Sequence, residues 1–87
     1  MTKHVKMMVL ESCPHCKKAF RIIKDLMEKH PEFTKVRVEV IEESKEPQKT
    51  EGYDYWYVPT FFVEGIKMHE GVPSEHSIEN VFRKALS

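Results

Sequence analysis

Two cysteines separated by a proline and a histidine, in Ser12-Cys13-Pro14-His15-Cys16, are the residues of this chain best suited to chemistry. They stand where an apolar run ends and a helical pattern begins. Proline suits the first helical position, where no hydrogen bond is donated within the helix, so Cys13 falls at the N-cap. A sulfur there faces unpaired backbone N–H groups and the positive end of the helix dipole. Both favour an anion, so the Cys13 thiol is expected to ionise below the free-cysteine value of about 8.5. Cys16 follows three residues on, along the same helix face. Helix first turns favour Asp and Glu, yet this one carries His15 and then Lys17 and Lys18, with no acid before Asp25. That departure suits a thiolate better than it suits the helix. Glu11 is the counterweight, because a carboxylate turned toward the site opposes ionisation of Cys13.

The chemistry such a pair supports is thiol–disulfide exchange. A Cys13 thiolate attacks a substrate disulfide, and Cys16 then displaces the reduced substrate from the mixed disulfide. A protonated His15 stabilises the thiolate, and with it the reduced form, raising the reduction potential. As a mere staple the pair is poor: a four-residue loop gives about 2 kcal/mol of chain-entropy stabilisation, against about 4.7 for a loop of about a hundred residues.

The surrounding elements can be read from periodicity. Val5 to Leu10 is nearly continuously apolar, as expected of a strand buried on both faces. Ala19, Phe20, Ile23, Leu26 and Met27 then recur at helical spacing, opposite Lys17, Lys18, Arg21, Lys24 and Glu28, until His30-Pro31 ends the helix. Val36, Val38 and Val40 alternate with Lys35, Arg37 and Glu39, the pattern of a half-exposed edge strand parallel to the first. Ser44 to Gly52 is polar, with Pro47 tolerable only in a first turn, and reads as a short second helix or a loop. Thr60–Val63 and Ile66–Glu70 flank Glu64-Gly65, a two-residue hairpin turn. Ser74 caps a last helix whose Ile78, Val81, Phe82, Ala85 and Leu86 form one apolar face.

Strand, Cys-x-x-Cys, helix, strand, short helix, Val58-Pro59-Thr60 opening a hairpin, and a final helix together resemble the thioredoxin fold, and within it glutaredoxin-like proteins most. The resemblance covers nearly all of the chain and implies an α/β fold, β-α-β-α-β-β-α, with a four-stranded mixed sheet flanked by helices. It also implies a dithiol–disulfide oxidoreductase with Cys13 and Cys16 catalytic, Pro14 and His15 tuning the redox pair, and Val58, Pro59 and Thr60 binding substrate. Pro59 is implied to be cis, which composition alone does not indicate, since only about 5–6% of folded X-Pro bonds are cis. A proline there donates no hydrogen bond and leaves the backbone of Val58 free to pair with an extended substrate. Several positions depart from the family patterns. Trp-Cys-Gly-Pro-Cys is absent, and Met7 stands where thioredoxins have a buried Asp, which sets the chain apart from thioredoxins proper. His15 replaces the Tyr of the common Cys-Pro-Tyr-Cys centre. Gly71-Val72-Pro73-Ser74-Glu75 replaces the Gly-Gly and acidic residues with which glutaredoxins hold glutathione.

At 87 residues the chain is expected to be one domain, 1–87. Fourteen basic residues balance fourteen acidic ones without charged blocks, which gives no reason to expect nucleic acid or a membrane surface as partner. The expected partners are protein or small-molecule disulfides, with glutathione or a thioredoxin reductase as electron donor. The apolar stretch Met7 to Leu10 is too short for a signal peptide's hydrophobic region or a membrane span. A cytoplasmic monomer without cofactor or metal is the expectation. The rival is a module carrying Cu or Zn on the Cys-x-x-Cys, or an iron–sulfur cluster bridged through Cys13 as in some glutaredoxins. Pro14 in the loop, Val58-Pro59, and the scatter of His4, His30, His69 and His76 weigh against a metal carrier. Some of Tyr53, Tyr55, Trp56 and Tyr57 are read as completing the core under the second helix, the alternative being an apolar platform beside Cys13.

Overall fold

In the computed structural model, which describes residues 2–87, the strand carrying the chain to Cys13 is β1, Val5–Val9. It lies between β2 (Val38–Glu42), parallel to it, and β3 (Thr60–Val63), antiparallel to it. β3 turns into β4 (Ile66–Glu70), giving the order β2-β1-β3-β4 with β2 at one edge. Helices α1 (Pro14–Lys29) and α2 (Glu75–Leu86) cover one face. Val5, Met7 and Val9 of β1, with Phe61 and Val63 of β3, meet Ala19 and Leu26 of α1 and Ile78, Val81, Phe82 and Ala85 of α2. Each large aliphatic or aromatic side chain buried there contributes about 1.5–3 kcal/mol. Phe33, in the short 3-10 turn after α1, stacks on Phe82 at 5.2 Å between centroids and closes the end of that core.

The chain from Ser44 to Gly52 departs from the expected second helix. Only a single 3-10 turn forms, Pro47–Thr50, with no buried residue. No residue from Ser44 to Gly52 is apolar, so a helix there has no face to bury, and packing is what stabilises short helices. The observed order is therefore β-α-β-β-β-α with 3-10 turns between elements. Tyrosines cover the second face of the sheet instead. Tyr53 and Tyr55 set their edges against Phe62, at 4.8 and 6.2 Å, in a small core with Met8 and Ile41. The Tyr53 hydroxyl accepts from Lys6 Nζ at 2.7 Å, so the lysine on this face of β1 is paired as well as packed.

Two residues assigned to apolar stripes are exposed: Phe20 on α1 and Val40 on β2, at 42% and 43%. Both line a groove of about 430 Å³ between α1 and the edge strand, where the sheet ends and none of the described residues covers them. In the β3–β4 turn both Glu64 and Gly65 have positive φ, 48° and 81°. Glycine tolerates this conformation, whereas a residue with a Cβ does not favour it. Glu64→Asn should therefore raise stability by about 0.5–1 kcal/mol, read as a higher urea midpoint with an unchanged slope.

Candidate active site

β1 ends at Val9, and the Cys13 N–H then donates to the Leu10 carbonyl at 3.0 Å, so a tight turn follows the strand directly. Cys13 is extended (φ −80°, ψ 119°), and its carbonyl accepts from the N–H groups of Cys16 and Lys17 at 3.1 and 3.2 Å. It is the N-cap residue, with Pro14 first in the helix, so the sulfur sits at the N-terminus of a 16-residue helix whose first turn has no acid. Glu11, the carboxylate that could oppose this, is paired with Lys45 at 2.8 Å.

The two unbridged cysteines are unequal. Cys13 is half-buried, and its thiol faces the Val58 carbonyl at 3.8 Å. Cys16 is 1% exposed. Burial pushes its thiol up to about 11, and the neighbouring Cys13 thiol and the Glu43 carboxylate add to the effect, against a lowering contribution at the Leu10 backbone. One sulfur is thus presented to an incoming molecule while the other is held back protonated.

The Val58–Pro59 peptide bond is cis, as the resemblance implies. His15 is exposed, and with Tyr57, Val58, Gly71 and Val72 it lines a cleft of about 410 Å³ beside Cys13. Of the residues assigned to substrate binding, Val58 reaches this cleft. Pro59 and Thr60 are buried, and the Thr60 hydroxyl donates to the Tyr57 carbonyl. The aromatic run divides between its two readings. Tyr53 and Tyr55 pack against the small core, whereas Trp56 and Tyr57 are 86% and 70% exposed, and Tyr57 lines the cleft. Burial and a hydrogen bond to Glu43 together raise the Tyr55 hydroxyl's pKa, so Tyr55 is a structural donor.

Sequence reasoning did not find two carboxylates that brace the site. Glu42 accepts from the Glu11 N–H at 2.9 Å and from both Ser44 N–H and hydroxyl at 2.7 Å, and these bonds lower its pKa to about 2. Glu70, likewise lowered to about 2, is held first by Lys67 and then by the N–H groups of Trp56 and Tyr57. Ser44 and Lys67 are near neighbours in sequence, but the Glu11, Trp56 and Tyr57 N–H groups that join these carboxylates to the site lie on other segments, and no local pattern marks those bonds. Among the described residues no three His, Cys, Asp or Glu side chains converge as metal ligands, and no helix is long and apolar enough to cross a membrane.

Comparison with known proteins places this geometry. Residues 3–83 match a family model described as a thioredoxin domain. A thioredoxin of Methanocaldococcus jannaschii is 31% identical over 74 residues, which cover 85% of each chain. Among solved structures, the germline-specific thioredoxin Deadhead of Drosophila melanogaster superposes with a TM-score of 0.69 at 23% identity, covering 95% of this chain and 80% of that one. Reduced desulfothioredoxin of Desulfovibrio vulgaris Hildenborough gives 0.68 at 15%, covering 95% and 81%, and shares the fold. Met7 and the missing Trp-Cys-Gly-Pro-Cys are expected to set the chain apart from thioredoxins, yet the family match and the 31% identical relative are both thioredoxins. The chain belongs to the thioredoxin-domain family and is a thiol-disulfide oxidoreductase.

Proposed function

We propose that the chain is a glutaredoxin-like reductant of protein or small-molecule disulfides, with Cys13 as nucleophile and Cys16 as resolving thiol. The observation that carries this reading is the unequal exposure of the two sulfurs beside a cleft bordered by Val58. The Cys13 thiolate attacks one sulfur of the substrate, the substrate S–S bond breaks, and the leaving thiolate takes a proton. Cys16 then gives up its proton and attacks Cys13. The mixed disulfide breaks and the second substrate sulfur leaves as thiol, while a Cys13–Cys16 disulfide forms. Two electrons and two protons have passed to the substrate. Pro14 fixes the start of α1 under Cys13, Val58 and Pro59 present the backbone to which an extended substrate pairs, and Thr60 acts through its bond to Tyr57. Glutathione or a thioredoxin reductase restores the dithiol. The balanced charge and the lack of further cysteines fit a monomer working in a reducing cytoplasm.

The test is turnover of a protein disulfide with each donor supplied separately, alongside iodoacetamide labelling. Faster labelling of native Cys13 than of the denatured chain, with turnover on either donor, is expected. Labelling no faster than the denatured control defeats the reading, and the active donor decides between the glutaredoxin-like and thioredoxin-like variants. His15→Tyr should lower the reduction potential by about 10–20 mV, the equivalent of about 0.5–1 kcal/mol of lost thiolate stabilisation. An unchanged potential removes His15 from the tuning set.

A further inference from the structure

Lys67 and Glu70 stand three apart on β4, a spacing that in a regular strand sends side chains to opposite faces. A bulge changes this. Phe61 faces His69 while Phe62 faces Lys67, so Met68 is an extra residue and the two charged side chains emerge on one side. Lys67 Nζ donates to Glu70 Oε1 at 2.8 Å and to the Asp54 carbonyl at 3.1 Å. Glu70 Oε2 accepts from the Tyr57 N–H at 2.9 Å and also from the Trp56 N–H. The segment 54–57, which has no regular secondary structure of its own, is thereby fastened to the edge strand at three backbone points. Its next residue is Val58, whose carbonyl faces the Cys13 sulfur. The opposite end of Tyr57 is fixed too, its carbonyl accepting from the Thr60 hydroxyl.

We propose that Glu70, aided by Lys67, is a positioning residue for disulfide exchange: it sets the register in which Trp56, Tyr57 and Val58 meet the substrate beside Cys13. This rests on the reading of the chain as a disulfide reductant. A carboxylate serves here because one oxygen can take two adjacent backbone N–H groups while the other holds the lysine. Without it, both N–H groups turn to water and the segment samples other registers, so each encounter must reorder it before the substrate docks. Attack by the sulfur itself is left intact, so the loss falls on binding rather than on the chemical step.

The experiment compares Glu70→Ala, Glu70→Gln and Lys67→Met with the wild type, using insulin as the protein disulfide. Glu70→Ala should raise KM about tenfold, with kcat changed less than about twofold and the iodoacetamide labelling rate of Cys13 as in the wild type. Glu70→Gln keeps an acceptor oxygen for the two N–H groups and should stay within about threefold of wild-type KM. Lys67→Met loses the Asp54 anchor and should fall between the two. An unchanged KM in Glu70→Ala overturns the proposal. So does an equal rise in Glu70→Ala and Glu70→Gln, which would make the ion pair rather than the backbone bonds the cause. Should Glu70→Ala fail to fold, Glu70→Gln and Lys67→Met carry the same comparison. A wild type that turns over no disulfide defeats the underlying reading itself, whatever the variants do.

Discussion

Replacing Cys13 by serine should abolish disulfide turnover, with a loss of at least about 10³-fold in kcat/KM. A serine hydroxyl does not ionise near neutrality, and the second cysteine cannot take over. Cys16 is 1% exposed, and its thiol is pushed up to about 11. At pH 7 only about one molecule in ten thousand then carries a Cys16 thiolate. Cys16→Ser should behave differently: the first attack proceeds and the second cannot, so a mixed disulfide with the substrate accumulates and is visible by mass under non-reducing conditions. The pair of variants also checks the raised Cys16 value. In Cys13→Ser the Cys13 contribution is gone but the burial remains, so alkylation of Cys16 should still be slow at pH 8 and climb only above the ordinary thiol range. Rapid alkylation at pH 8 would show that burial does not protect this sulfur. The sign for stability follows from the same shift: the folded state holds the proton more tightly, so this contribution is full below about pH 9 and is lost as pH rises toward about 11.

The second large effect is expected at Met7, fully buried in the sheet centre. Met7→Asp places there the carboxyl that the sequence comparison associates with thioredoxins. Met7 belongs to the core cluster with Val5, Val9, Cys16, Ala19, Leu26, Phe61 and the α2 residues, whose side chains offer a carboxylate no donor stronger than a thiol. The lost packing and the unpaired polar group together should cost about 3–6 kcal/mol, a large part of the usual 5–15 kcal/mol for a domain. Urea unfolding measures it. A loss under about 1 kcal/mol would mean that water or a neighbouring group already reaches this position.

How far the sequence could be read depended on whether the information was local. β1, the hairpin at Glu64-Gly65 and α2 were all legible, because period, turn residues and the Ser74 cap each act within a few positions. Ser74 in fact forms a reciprocal box with Ser77, at 3.0 Å in each direction. The Cys13 N-cap was legible for the same reason. Errors arose where burial depends on what lies across the fold. Phe20 and Val40 have the right period but look past the edge of the sheet. Ser44 to Gly52 has a permissible helix start but no apolar side to hold it. The site's bracing was hidden for a related reason: Glu70 reaches Trp56 and Tyr57 across 14 and 13 positions, and only because a bulge turns it toward them.

The single tryptophan of the chain, Trp56, is 86% exposed and lies two residues from Val58. An indole in that place is a built-in fluorophore with no competing emitter of its kind. Docking of a non-fluorescent ligand over the cleft should dry its surroundings and shift its emission toward the blue, so that occupancy and redox cycling can be followed in real time without a label.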